Sequence, residues 1–258
     1  MLAIVIMSNT PLLTSLLRSS CSDTLGTNVS VFERFCSRLD DHYLVLKSHT
    51  LKDAKRNIMR EKGDVFEDLC YAMLKAGAFS GIPLTYLWKF KDIPDDIRAS
   101  LGLSTRDMGI DLVGCTATHW VAFQCKYRKK PKAKRPDGQF NKWQVPWSEL
   151  STFLALATNN SFGQLVVMTS AKGVNWQGNY NHNCKVFARE TFLGIPRSIW
   201  DTIHGDVGQK LGSTVTVDSE PNITPKVTTA SSHSMEHKLG NTTDVVRAAR
   251  NAWLNKLH

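Results

Sequence analysis

No run of apolar residues in this sequence is long enough to cross a bilayer, which argues against a helical membrane span. Met1 to Met7 is apolar but short, with no basic residue before it, unlike a secretory leader. The first twenty residues lack acids and are rich in Ser, Thr and Leu, but Arg18 is their lone basic residue, too few for a mitochondrial transit sequence. The six cysteines (21, 36, 70, 115, 125 and 184) form no CxxC pair. That spacing argues against a zinc site or a disulfide framework, and it predicts reduced, mostly buried thiols in an intracellular, reducing compartment. No GxxxxGK[ST] motif is present, so the chain carries no nucleotide-driven motor of that type. Internal repeats are absent. Acids are also in short supply: 23 Asp and Glu face 32 Lys and Arg, a net charge of +9. Such a balance predicts a polyanionic partner and says nothing about fold. Nucleic acid and an acidic membrane surface are both partners of that kind.

What is present is ordinary in bulk and unusual in two places. The 258 residues are 42% hydrophobic and 21% charged, suited to one large globular domain or a domain with an appendage. The first unusual stretch is Gly109-Ile110-Asp111-Leu112-Val113, followed by Phe123-Gln124-Cys125-Lys126-Tyr127. Both read as strands, joined by a hairpin loop of small residues over 114–118. In the second strand, Val121, Phe123 and Cys125 share one face, and Trp120, Ala122, Gln124 and Lys126 the other. The second face turns polar at its end, where it would line a cleft. A carboxylate, a second oxygen ligand and a lysine on adjacent strand ends suit one hard cation and one attacking water. Magnesium takes oxygen ligands and needs only one or two protein carboxylates. The lysine can orient the water or stabilise developing charge.

Asp111 followed by Gln124-Cys125-Lys126 resembles the D…(D/E/Q)xK core of the PD-(D/E)XK, or restriction-endonuclease-like, nucleases. The Gln variant is similar to the Mrr-like and helicase-associated branch. Gly63-Asp64-Val65-Phe66-Glu67 resembles the family's first helix with its acidic residue. Asp107-Met108-Gly109-Ile110-Asp111 resembles its D-x-G-I-D strand entry. Residues 148–157 and 164–170 resemble the helix and strand that follow, so the likeness covers about residues 60–200. The resemblance implies an α/β fold with a mixed central sheet flanked by helices. It also implies a metal-dependent DNA endonuclease, with Mg2+ as cofactor and Mn2+ able to substitute. Asp111 would be the principal metal ligand. Gln124 and the carbonyl of Cys125 would add oxygens, Glu67 would ligate directly or through water, and Lys126 would position the water. A neutral Gln124 departs from the acidic residue of many relatives and binds a cation less well. That keeps a second reading open, a nuclease fold that only grips nucleic acid. A third is an RNA-directed endonuclease sharing the two-strand metal core.

The second unusual stretch is residues 126–142, with eight basic residues against one acid, Asp137. Pro131, Pro136 and Gly138 predict an exposed loop. Arg128, Lys129, Lys130, Lys132, Lys134 and Arg135 are candidates to grip phosphates, against the alternative of a solvated or targeting segment. Trp143 and Trp147 follow, as base-stacking or core residues. Asp107 reads as a turn cap, and His182 lies in an Asn-rich turn.

Four segments are expected. Residues 1–60 form an N-terminal helical extension, with a capping box at Ser30 and Glu33 and an apolar stripe of Phe32, Phe35, Cys36, Leu39, Tyr43 and Leu46. A charged helix over 52–62 leads into residues 61–211, the nuclease-like core, which has a second helix over 64–76 stopped by Gly77 and a strand over 84–90. Residues 212–242 are a Ser/Thr/Asn/Pro-rich linker. Residues 243–258 form an amphipathic helix with Val246, Ala249, Trp253 and Leu257 in its stripe. Either terminal helix could serve packing on the core, a homodimer or a larger complex.

Overall fold

The computed structural model describes residues 11–47, 52–105, 109–131, 143–159, 162–176 and 184–209. The expected linker at 212–242, the helix at 243–258, Asp107, His182, Lys132, Lys134 and Arg135 lie outside these residues.

Three helices come first: α1 (Pro11–Asp23), α2 (Val31–Lys47) and α3 (Lys52–Lys75). They are followed by β1 (Tyr86–Lys89), α4 (Asp95–Ser100), β2 (Leu112–Cys115), β3 (Trp120–Lys126) and the short β4 (Val145–Pro146). Next among the described residues come α5 (Ser151–Asn159), β5 (Phe162–Thr169), the short β6 (Val174–Asn175), β7 (Cys184–Phe187), α6 (Arg189–Leu193) and α7 (Arg197–Gln209). The main sheet has the order β1-β2-β3-β5-β7. Its first three strands are antiparallel neighbours. The pairs β3–β5 and β5–β7 are parallel. This is a mixed α/β fold.

Alternation along the central strands divides the core in two. Leu112, Val121, Phe123, Val166 and Met168 face a layer built from α1, α2, α3, α6 and α7. Val113, Ala122, Leu165 and Val167 face the other side, where Phe153 of α5, Leu150 and Leu101 cover them. The continuous apolar run of β5 is therefore spent on two faces, as a strand buried on both sides requires.

The N-terminal helices are part of this core. Phe32, Phe35 and Leu39 of α2 are fully buried, and Phe32 stacks on Phe192 with centroids 4.7 Å apart. Phe32, Phe35, Leu39 and Tyr43 of the α2 stripe are thus packed inside their own chain. Glu33 does not reach back to cap its helix; it accepts from Lys130 and Arg189.

Three local expectations change. The charged helix and its successor are one helix, because α3 runs through residue 60 and through Gly63 without a break. Ile58, Val65, Phe66 and Leu69 are all buried in the same cluster, and that burial outweighs the roughly 1 kcal/mol that a helical glycine costs. The strand over 84–90 shortens to β1. The loop expected at 114–118 begins later, because Gly114 and Cys115 belong to β2. A Cβ on Gly114 would lie 2.7 Å from Leu84 Cδ2 and 3.2 Å from Phe123 Cε2, so this glycine answers a close approach within the sheet and not a turn. The stop at Gly77 stands: at φ +70 it lets its own N–H donate to Leu74 and that of Ala78 to Met73, the paired bonds of a left-handed helix end.

Candidate functional site

The expected site residues converge where β2 enters the sheet and β3 leaves it. Asp111 precedes β2 by one residue. Its N–H donates to the Phe123 carbonyl (2.9 Å) and its own carbonyl accepts from Phe90 N–H (2.8 Å). Its carboxylate Oδ2 accepts from the Cys125 N–H at 2.5 Å. A backbone donor on β3 therefore fixes the Asp111 side chain.

Gly109 makes the approach to Asp111 possible. Its φ of +102 is one that side-chain-bearing residues avoid. A Cβ there would also lie 3.4 Å from the Phe153 amide nitrogen and 3.6 Å from Gln124 Nε2. Those are ordinary contact distances, so it is the backbone angle and not a lack of space that asks for glycine here.

Gln124 follows Ala122 on the α5 side of β3. It is 3% exposed, more deeply buried than a cleft-lining residue was expected to be. Its carbonyl oxygen Oε1 is buried and accepts no hydrogen bond. Burying an amide oxygen without a partner costs on the order of 1–3 kcal/mol, so the position calls for a ligand to that atom. Lys126, two residues on, is half-buried, and among the described residues its ammonium makes no ion pair.

Glu67 enters from α3, in the other layer. Its carboxyl is pushed up to about 8, first by burial and next by the negative charge of Asp111, with Asp68 and Asp64 adding and Lys89 opposing. A carboxyl raised by a neighbouring carboxylate marks a place where negative charge collects and a cation is favoured. Lys89 is itself occupied in a buried ion pair with Asp68. Neither residue stands out in the sequence, since they come from β1 and α3, 21 positions apart. Cys125 and Cys70 are both free thiols pushed up by burial. They serve as packing, so the part of Cys125 that matters at the site is its backbone.

Among the described residues, no three His, Cys, Asp or Glu side chains come together as a metal cage. The donors at hand are two carboxylates, the amide oxygen of Gln124 and the backbone carbonyl of Cys125. An all-oxygen, partly neutral set of this kind fits a hard divalent ion that retains waters.

The basic segment is described only at its root. Arg128 pairs with Glu149, Lys129 with Asp40 (3.9 Å) and Lys130 with Glu33 (3.2 Å). Lys130 is 65% exposed, so its pair contributes little. Trp143 is held by structure: its Nε1–H donates to the Arg128 carbonyl, and the Arg189 guanidinium lies 4.8 Å from the ring centroid. Trp147 is half-buried in the short helical turn before α5.

Residues 83–191 match the family model described as a restriction endonuclease. The core is restriction-endonuclease-like. Asp111, Gln124 and Lys126 of that core fall inside the matched span, and Glu67 precedes it. The match supports nuclease activity in general. A solved structure of the ATP-dependent Type ISP restriction-modification enzyme LlaBIII bound to DNA is similar over 52% of this chain, at 16% identity with a TM-score of 0.36. The chain spans 8% of that enzyme's length. No curated protein matches the sequence.

Proposed function

We propose that the protein is a metal-dependent endonuclease that hydrolyses phosphodiester bonds of DNA. The observation that carries this reading is the buried, unpartnered Oε1 of Gln124 on the strand that also fixes the Asp111 carboxylate, with Glu67 close enough for Asp111 to raise it. Asp111, Glu67, Gln124 Oε1 and the Cys125 carbonyl would hold the ion, Mg2+ with Mn2+ as substitute. When bound, it would neutralise the scissile phosphate and acidify a water.

The chain's own residues do the rest. Asp111 is oriented by the Cys125 N–H. Glu67 gives up its carboxyl proton when a cation loads. Gln124 supplies an oxygen without adding negative charge, which limits repulsion of the phosphate at some cost in cation affinity. Lys126 holds the attacking water and stabilises charge that builds on the phosphate.

The test is cleavage of supercoiled plasmid and of a single-stranded RNA with Mg2+, with Mn2+ and with chelator, beside calorimetric titration of each metal. Nicking or linearisation of plasmid that chelator stops is the expected result. Cleavage that survives chelator would overturn the metal. Cleavage of RNA alone would overturn the choice of DNA. Metal-independent binding with no cleavage of either would leave a nuclease fold that only grips nucleic acid.

The basic segment supplies affinity without base preference. Lysines and arginines on phosphates release counterions, and each contact adds about 0.9 to the slope of log K against log salt on duplex DNA. Replacing Arg128, Lys129, Lys130, Lys132, Lys134 and Arg135 together should reduce that slope by about 3 or more and weaken unrelated sequences alike. A fluorescence-anisotropy titration with an unchanged slope would show that the segment points away from DNA.

A further inference from the structure

The parallel ladder between β3 and β5 ends at the pair Lys126–Thr169. Beyond that rung, side chains add to a long backbone bond from the Ser170 N–H to the Lys126 carbonyl (3.4 Å). Thr169 Oγ1 donates to the Lys126 carbonyl at 2.8 Å and accepts from the Ala171 N–H at 3.1 Å. Ser170 Oγ accepts from the Arg128 N–H at 2.7 Å and donates to the Arg128 carbonyl at 3.1 Å. Both residues are fully buried. Two adjacent hydroxyls thus hold β3 to β5 on either side of Tyr127, at the residue that carries the site's ammonium and at the root of the basic segment.

Buried hydroxyls at a strand end are replaceable by apolar residues when only packing is at stake. Here each hydroxyl is both donor and acceptor, and all four bonds hold main-chain groups: the Lys126 carbonyl, the Ala171 N–H, and the N–H and carbonyl of Arg128. A lysine side chain swings on its Cα, so a carbonyl fixed at 2.8 Å sets where the ammonium can reach. Displacement of a catalytic group by about 1 Å costs on the order of 100-fold, and a partial displacement correspondingly less.

We propose that Thr169 and Ser170 are positioning residues of the nuclease site: Thr169 sets the placement of Lys126, and Ser170 sets the direction in which the basic segment leaves the sheet. The inference rests on the nuclease reading and adds to it the residues through which β5 governs chemistry and grip separately.

The experiment compares Thr169→Val, Thr169→Ser and Ser170→Ala with the wild type. Plasmid cleavage in Mg2+ gives kcat and KM, anisotropy in chelator gives DNA affinity, and melting temperatures show whether each variant folds. Thr169→Val keeps the shape and loses the hydroxyl. Its kcat should fall about tenfold, a fraction of the full misplacement penalty, with KM within about twofold. Thr169→Ser restores the donor and should return most of kcat, which a purely packing role would not do. Ser170→Ala should raise the Kd for DNA about threefold or more, the scale of losing one charge-positioning contact. Unchanged kcat in a folded Thr169→Val protein overturns the role of Thr169, and so does a Thr169→Ser protein as slow as Thr169→Val. An unchanged Kd in Ser170→Ala overturns the role of Ser170. If Thr169→Val does not fold, the serine variant decides: a folded Thr169→Ser protein with wild-type kcat supports the role, and one with kcat reduced tenfold overturns it. A wild type that cleaves nothing sinks the nuclease reading itself, an outcome distinct from any of these.

Discussion

Asp111→Asn should retain the fold and lose about 10³-fold or more in kcat, the scale that several kcal/mol of charge stabilisation at a metal site implies. The wild-type carboxylate does two things that the substitution separates. It accepts the Cys125 N–H at 2.5 Å, and it brings negative charge to a site shared with Glu67. The amide oxygen of asparagine can still accept from Cys125, so the entry to β2 keeps its anchor and the melting temperature should move by only a few degrees. The charge is gone, and with it the main attraction for a cation. A second consequence follows from the same electrostatics. Asp111 is one of the causes that push Glu67 up, so the Glu67 carboxyl should titrate lower in the variant. Circular dichroism, plasmid cleavage and a carboxyl titration by NMR read the three effects. Full activity in a folded Asp111→Asn protein would remove Asp111 from the site.

The parts of this structure that were legible in the sequence are those set by local rules. The two-residue period of β3 placed Val121 and Phe123 on one face and Gln124 on the other, and Gly77 announced the end of α3 through the backbone conformation it alone adopts easily. Burial of β5 on both sides followed from its unbroken apolar run. Other features depend on distant partners. Gly114 resembles a turn residue until Leu84 and Phe123 are seen to fill the space beside it. The α2 stripe suits an interface as well as a core, and it takes the stacking of Phe32 on Phe192 to place that side chain in the core. Lys130 pairs with Glu33 across 97 positions of chain, and nothing local hints at it. Thr169 and Ser170 look like an ordinary strand end, because a hydroxyl's role is set by the carbonyl it finds and not by its neighbours in sequence. At the site itself, the identities of Asp111, Gln124, Lys126 and Glu67 were visible as a pattern. The deep burial of Gln124 and the upward push on the Glu67 carboxyl were not, since both come from layers packed above and below the motif.

Glu67 should give the site a pH dependence that runs opposite in the loaded and the metal-free protein. Its carboxyl stands at about 8 in the folded chain against a usual 4.5, so near neutral pH the metal-free site is mostly protonated there. A cation that uses this oxygen must displace the proton. Apparent metal affinity, and cleavage at subsaturating Mg2+, should therefore rise about tenfold per pH unit well below 8 and level off above it, roughly 50-fold between pH 6 and 8. Stability without metal follows the reverse sign. Between the two values the folded state holds a proton that the unfolded state has lost, so stability is greatest below pH 4.5 as far as this group is concerned, and it falls as pH rises toward 8. The fall approaches 1.4 kcal/mol per pH unit in the middle of that window. Glu67→Gln has no proton to hold or release. It should flatten the pH profile of metal binding and be more stable than the wild type at pH 8 in chelator, while losing cleavage because an anionic oxygen is missing. Urea unfolding at pH 5, 6, 7 and 8 in chelator, with calorimetric Mg2+ titrations over the same range, makes the comparison. If the wild-type and Glu67→Gln stabilities run parallel with pH, the carboxyl is not raised, and the pairing of Glu67 with Asp111 at one site falls with it.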